Sequence, residues 1–73
     1  MFNLNRYLES LKGEEVIVKT RFGMVKAVIE DVGRNGTLLV SNYRRIVEGE
    51  EIEKRDLAII RGDNIIAILM EKT

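Results

Sequence analysis

The sequence predicts a mainly β fold: an N-terminal helix followed by a strongly bent five-stranded antiparallel sheet that forms a partly open small barrel. Three observations carry this. Apolar residues up to Leu11 recur at helical spacing, those from Glu15 onward alternate at strand spacing, and glycine-containing turns cut the second region into five short runs. A single domain over residues 1–73 is expected, because no linker, low-complexity segment or internal repeat interrupts the pattern.

The helix is read from Leu4, Tyr7, Leu8 and Leu11, which sit at i, i+3, i+4 and i+7. Asn3 is the expected N-cap and Gly13 the terminator after Lys12. So short a helix is not stable alone, so its stripe is expected to pack on the core. The first strand runs from Glu15, with Val16, Val18 and Thr20 on one face, and breaks at Phe22-Gly23. The second spans Met24 to Val32, with Val25, Ala27 and Ile29 on one face. Gly33-Arg34-Asn35-Gly36 is a strong turn signal, and Thr37 to Tyr43 forms the third strand. A fourth run, about Glu51 to Arg61, starts polar and ends apolar; Gly62-Asp63 interrupts it, and Ile65 to Met70 is the fifth. That last run is apolar on both faces, which implies burial on both sides or an edge covered by another chain.

Composition narrows the means of stabilisation. Ordering a residue costs about 1.5 kcal/mol, and chains of this size often add disulfides, a structural metal or a partner subunit. With no Cys and no His, disulfides and the common zinc sites are excluded, and no cofactor is expected. A well-packed monomer or a neighbouring copy remains. Hydrophobic content of 45% with 33% charged residues reads as globular and soluble. No apolar run approaches the ~18 residues of a membrane span. Met1 to Lys12 lacks the features of a signal peptide, so a cytoplasmic location is expected. The net charge of zero conceals an excess of bases in residues 1–47 and an acidic stretch from Glu48 to Asp56.

Catalysis finds no support. His and Cys are absent, and Ser10 and Ser41 are the only serines, with no base in any triad-like arrangement. Glu30 and Asp31 are adjacent in a strand and point to opposite faces, so they are not a carboxylate pair.

At Ile60-Arg61-Gly62-Asp63-Asn64-Ile65 the chain resembles the second signature of the Sm/Sm-like (LSm) family, and most of all its archaeal members. The order of one helix and five strands resembles that family over essentially the whole chain. The first signature departs from the pattern. Where the family has a Gly in strand two and then an Asp-x-His-x-Asn loop, the ungapped register places Ala27, Gly33, Asn35 and Thr37, ahead of Leu38-Leu39-Val40. A register shifted by two residues would use Asp31 with Asn35 instead.

The resemblance implies a homo-oligomeric ring of six to eight subunits, most often seven. Strand four of one copy, here Leu57 to Ile60, would pair with strand five of the next, here Ile65 to Met70. It also implies single-stranded, U-rich RNA around a central pore, and a role as RNA chaperone or ribonucleoprotein scaffold in RNA processing. The RNA-contacting candidates are Arg61, Gly62, Asp63, Asn35, Thr37 and Arg34. A guanidinium stacks on a base and attracts phosphate. A carboxylate or amide after a close-approaching glycine reads a base edge or braces the loop. Because Asn35 and Thr37 stand where the family has its stacking His and reading Asn, weaker or less uracil-selective binding is expected. The alternative is a structural ring or protein-interaction scaffold with degraded RNA recognition; Arg61-Gly62-Asp63 by itself also reads as a structural turn with Arg61 paired to a carboxylate. Tyr43-Arg44-Arg45 is either a further nucleic-acid contact or a salt-bridge cluster with Glu48 to Glu53.

Overall fold

The computed structural model describes residues 1–71; Lys72 and Thr73, the last two of the expected 1–73 domain, lie outside the described residues. Helix α1 (Leu4–Glu9) is followed by strands β1 (Glu15–Thr20), β2 (Gly23–Val32), β3 (Leu38–Val47), β4 (Glu50–Ile60) and β5 (Ile65–Leu69). The Asn3 side chain caps the helix by accepting from the Arg6 N–H at 3.0 Å. The helix stops earlier than the apolar spacing suggests, and Leu11 sits in the turn beyond it. Gly13 supplies the positive φ of 86° at that exit. Its N–H donates to the Ile29 carbonyl at 2.7 Å, which ties the helix exit to β2.

The strands form one antiparallel sheet in the order β4-β3-β2-β1-β5. Its concave side carries the alternating apolar set. Val16, Val18, Val25, Ala27, Ile29, Leu38, Val40 and Ile60 are buried there with Leu8 and Leu11. The expected face of Val25, Ala27 and Ile29 is thus the core face. Only half of the helical stripe reaches it: Leu8 and Leu11 are buried, while Leu4 and Tyr7 are exposed. The helix is too short, and placed too near the end of the sheet, to bury all four.

Bulges produce the bend. Lys26 pairs with Arg44 but Val28 with Ser41, so Ala27 faces two residues, Asn42 and Tyr43, and Asn42 takes a left-handed φ of 49°. An extra residue on one strand bends it and increases the local twist. Ala27, fully buried opposite this bulge, is small enough for the inside of the curve. Further register shifts leave Glu30, Ile52 and Ile66 as the extra residues of β2, β4 and β5. Strand β3 runs four residues beyond the expected end at Tyr43, because the cations that follow are held by carboxylates. Arg45 pairs with Glu53 across the β3–β4 hairpin at 3.2 Å, and Arg44 pairs with Glu15 on β1.

Candidate functional site

Two turns meet at one end of the sheet. Leu38 directly follows the β2–β3 turn and Ile60 directly precedes the β4–β5 turn, and these two residues are partners across β3 and β4. Sheet register therefore places the segments 33–37 and 61–64 side by side, although they lie far apart in sequence.

Each segment is held by its own backbone. In the first, the Thr37 N–H donates to the Arg34 carbonyl at 3.1 Å and the Gly33 N–H to the Thr37 carbonyl at 2.8 Å. Asn35, with φ 58°, and Gly36, with φ 73°, both adopt the left-handed region, which asparagine and glycine tolerate best. In the second, the Asn64 N–H donates to the Arg61 carbonyl at 3.0 Å, and the Asn64 carbonyl accepts from Arg21 in the β1–β2 turn at 3.1 Å.

The two segments then lock together. The Gly62 N–H donates to the Thr37 hydroxyl oxygen at 3.1 Å. A Cβ on Gly62 would fall 1.8 Å from the Asn35 carbonyl oxygen. Glycine is required here by close backbone approach, not by an unusual φ. Asn35, Thr37, Arg61, Gly62 and Asp63 thus form one surface, with exposed Arg34 in the same turn. Arg61 and Asp63 are 74% and 64% exposed, and their charged groups are 3.2 Å apart. An ion pair this exposed is worth at most about 1 kcal/mol, so an incoming phosphate can displace the carboxylate. The carboxylate partner expected in the alternative reading of Arg61 is therefore present, and it is Asp63.

Asp31, the residue of the shifted register, belongs elsewhere. Its carboxyl accepts from the Val32 N–H at 2.8 Å and faces Lys12 at 3.3 Å. That backbone hydrogen bond, with the Lys12 ammonium, holds the carboxyl below its ordinary value. Lys12 is raised in turn, first by Glu9 and then by Asp31. The Tyr43-Arg44-Arg45 cluster also divides: Arg45 joins Glu53 and Arg44 joins Glu15. Burial, with help from the Glu53 charge, raises the Tyr43 phenol.

The sequence did not point to the wall beside the turns. An apolar groove of about 340 Å³ is lined by Phe2, Leu4 and Tyr7 on one side and by Asn35, Gly36 and Gly62 on the other. The Phe2 and Tyr7 rings pack at 5.7 Å between centroids. The exposed half of the helical stripe is what lines it. Among the described residues there is no group of three or more acidic side chains placed to hold a metal ion, and no helix long and apolar enough to cross a membrane.

No protein-family profile matches the chain, and no curated protein matches it. Solved structures do. The SmAP1 heptamer of P. aerophilum superposes with a TM-score of 0.85 at 24% identity, covering 100% of both chains. This is the Sm fold. The Sm protein of Pyrococcus abyssii, solved with a uridine heptamer, gives a TM-score of 0.83 at 20% identity over 94% of this chain and 97% of that one. An Sm-like protein from Archaeoglobus fulgidus gives 0.81 at 19% identity, covering 97% of each.

In this Sm-fold chain the two strands that end the sheet, β4 and β5, are not paired with each other. Each presents a free hydrogen-bonding edge with exposed apolar side chains: Leu57 (62%) and Ile59 (69%) on β4, Ile66 (68%) on β5. Ile65 and Ile68 are partly buried against the core, so the doubly apolar fifth run divides into a core-facing and an open face.

Proposed function

We propose that this chain is an Sm-like protein that assembles into a homo-oligomeric ring and binds single-stranded RNA, serving as RNA chaperone or ribonucleoprotein scaffold. The observation that carries this is the interlock of the two turns, in which Gly62 seats against the Asn35 carbonyl and donates to Thr37. It supports a reading in which the Arg61 guanidinium stacks on a base while Asn35, Thr37 and Asp63 offer hydrogen-bonding groups beside it. That combination suits a base held by its π-face and edge. The free β4 and β5 edges supply complementary strands through which one copy joins the next, and such edges would otherwise invite aggregation. The similarity to heptameric archaeal structures, one of them holding a uridine heptamer, supports the same reading. Repeating a weak site around a ring gives avidity without a strong single contact.

Recognition of uracil is weaker than a His-and-Asn loop would provide. Asn35 offers no ring to stack, and the Thr37 hydroxyl oxygen already accepts from Gly62, leaving its proton to donate. The second reading, a ring serving as protein scaffold, draws on the Arg61–Asp63 pair, which occupies the stacking cation. A fluorescence titration of oligo-uridine and oligo-adenosine against the wild-type and Arg61→Ala proteins separates the two. Binding of oligo-uridine with modest preference, lost in Arg61→Ala, supports the RNA reading. No binding of either oligomer favours the scaffold.

A further inference from the structure

The cross-strand register sets three cations directly opposite one another. Lys26 on β2 pairs with Arg44 on β3, and Arg44 pairs with Lys54 on β4. Lys26 alternates with the buried Val25 and Ala27, so this row lies on the convex face, away from the core. Lys19 extends it on β1, since its register partner Met24 stands two residues from Lys26 on the same face. Like charges directly opposite in a sheet are destabilising. Among the described residues only Arg44 has an ionic partner, Glu15; Lys19, Lys26 and Lys54 have none. Neighbouring strands are about 4.8 Å apart, so Lys26 and Lys54 stand about 10 Å apart along a narrow track.

We propose that this convex-face row, Lys19, Lys26, Arg44 and Lys54, is a second nucleic-acid contact that holds the phosphate backbone of RNA extending beyond the turn site. From Lys26 through Arg44 to Lys54 the row is one residue wide, and at Lys19 it steps into the neighbouring register row. Glu51 flanks it in the neighbouring register row, and Glu15 and Glu30 lie on its other side. A broad anionic surface such as a membrane would meet those carboxylates, whereas a linear polyanion avoids them. Lys26 lies seven residues before Gly33 in the extended β2, a separation of roughly 20 Å at about 3.3 Å per residue. A heptauridine whose bases each occupy one turn site around the ring has no length left to cross that distance, whereas a longer RNA does. Lys19, Lys26 and Arg44 lie on strands inside the sheet, and Lys54 lies outside the Leu57–Ile60 edge proposed for assembly, so the row remains open in a ring.

The identification of the polyanion as RNA rests on the function proposed above, and the test keeps the two apart. Heptauridine and a 30-nucleotide oligo-uridine are titrated against wild type, Lys26→Ala/Lys54→Ala and Lys26→Arg/Lys54→Arg at several salt concentrations. Each phosphate contact contributes about 0.7 to the log–log salt slope for single strands. The alanine pair is expected to lower the slope for the 30-mer by about 1.4 per row contacted and to weaken its binding about tenfold at 200 mM salt, with heptauridine unchanged and the arginine pair like wild type. Binding of the 30-mer without heptauridine, still weakened by the alanine pair, supports the row while removing the turn site. Wild-type slopes for the 30-mer in the alanine pair overturn the proposal. So does equal weakening of both oligomers. A rise in melting temperature from relieved repulsion, read in parallel, shows that the variant is folded.

Discussion

Gly62→Ala is the sharpest perturbation of the interlocked turns. The added methyl would lie 1.8 Å from the Asn35 carbonyl oxygen and 2.9 Å from its carbonyl carbon, whereas ordinary contact begins at 3.4 Å. Both neighbours are backbone, fixed by the Leu38–Ile60 pairing, so no side chain can rotate aside. The turns must separate, and the Gly62 N–H loses its bond to Thr37. Overpacking of this kind costs about 1–3 kcal/mol. The lost hydrogen bond adds about 1 kcal/mol. At this chain length each kcal/mol moves the melting temperature by roughly 4–8 °C, so a fall of roughly 10–30 °C is expected. The assay is thermal denaturation by circular dichroism at one fixed subunit concentration, because assembly itself stabilises. RNA binding should weaken in parallel at a temperature where the variant is still folded. A change of less than about 3 °C with unaltered RNA binding would refute the reasoning, since the turns would then have had room to spare.

Other perturbations follow from the same geometry. Thr37→Val keeps the shape and removes the acceptor of the Gly62 N–H, for an expected loss of about 1 kcal/mol in urea denaturation, while Thr37→Ser stays near wild type. Arg61→Ala removes the stacking cation and should weaken oligo-uridine binding about tenfold or more per contacted base, with the melting temperature nearly unchanged because the Arg61–Asp63 pair is exposed. Leu57→Asp on β4 or Ile66→Asp on β5 should each dissociate the proposed ring in size-exclusion chromatography with light scattering, since both would place a charge on an edge that the ring desolvates. Stability should be lost at the two extremes of pH. Asp31, held below its ordinary value, contributes above its unfolded pKa, and that contribution disappears as pH falls through the folded value. Tyr43, held above its ordinary value, contributes below its unfolded pKa, and that contribution disappears as pH rises through the folded value. With no His, urea midpoints at pH 6 and 8 should agree closely; a large step between them would contradict the assignment.

Much of this architecture is legible in the sequence because local rules and global fold agree. The alternation of Val16 and Val18, and of Val25, Ala27 and Ile29, marks the concave face directly, and each glycine-containing turn falls between strands. The motif Arg61-Gly62-Asp63 marks one half of the candidate site. Periodicity does not disclose bulges, which are pairing events between strands: Asn42 opposite Ala27 has no local signature beyond the tolerance of asparagine for a positive φ. The same blindness hid the extension of β3, whose last residues are held by Glu15 and Glu53 from other strands. The helical stripe gave the right periodicity and overstated burial, because spacing marks one face of a helix and says nothing of how far the core extends beneath it. Leu4 and Tyr7 line a groove beside the turns instead. The role of Thr37 also needed coordinates. In sequence it stands where the resembled family has an Asn; in three dimensions its oxygen is the acceptor that joins the two turns.

The same reasoning bears on how so small a chain, without disulfide or zinc site, holds its sheet. Among the described residues ten buried apolar side chains form the core, yet Leu57, Ile59 and Ile66 remain open along unpaired edges. On the reading proposed here, the neighbouring copy replaces the missing staple, and folding stability and assembly become one quantity. Native mass spectrometry at micromolar subunit concentration, with and without heptauridine, tests this most directly. The account predicts a closed ring of six to eight subunits that takes up heptauridine without changing its subunit number. A monomer under both conditions would contradict it.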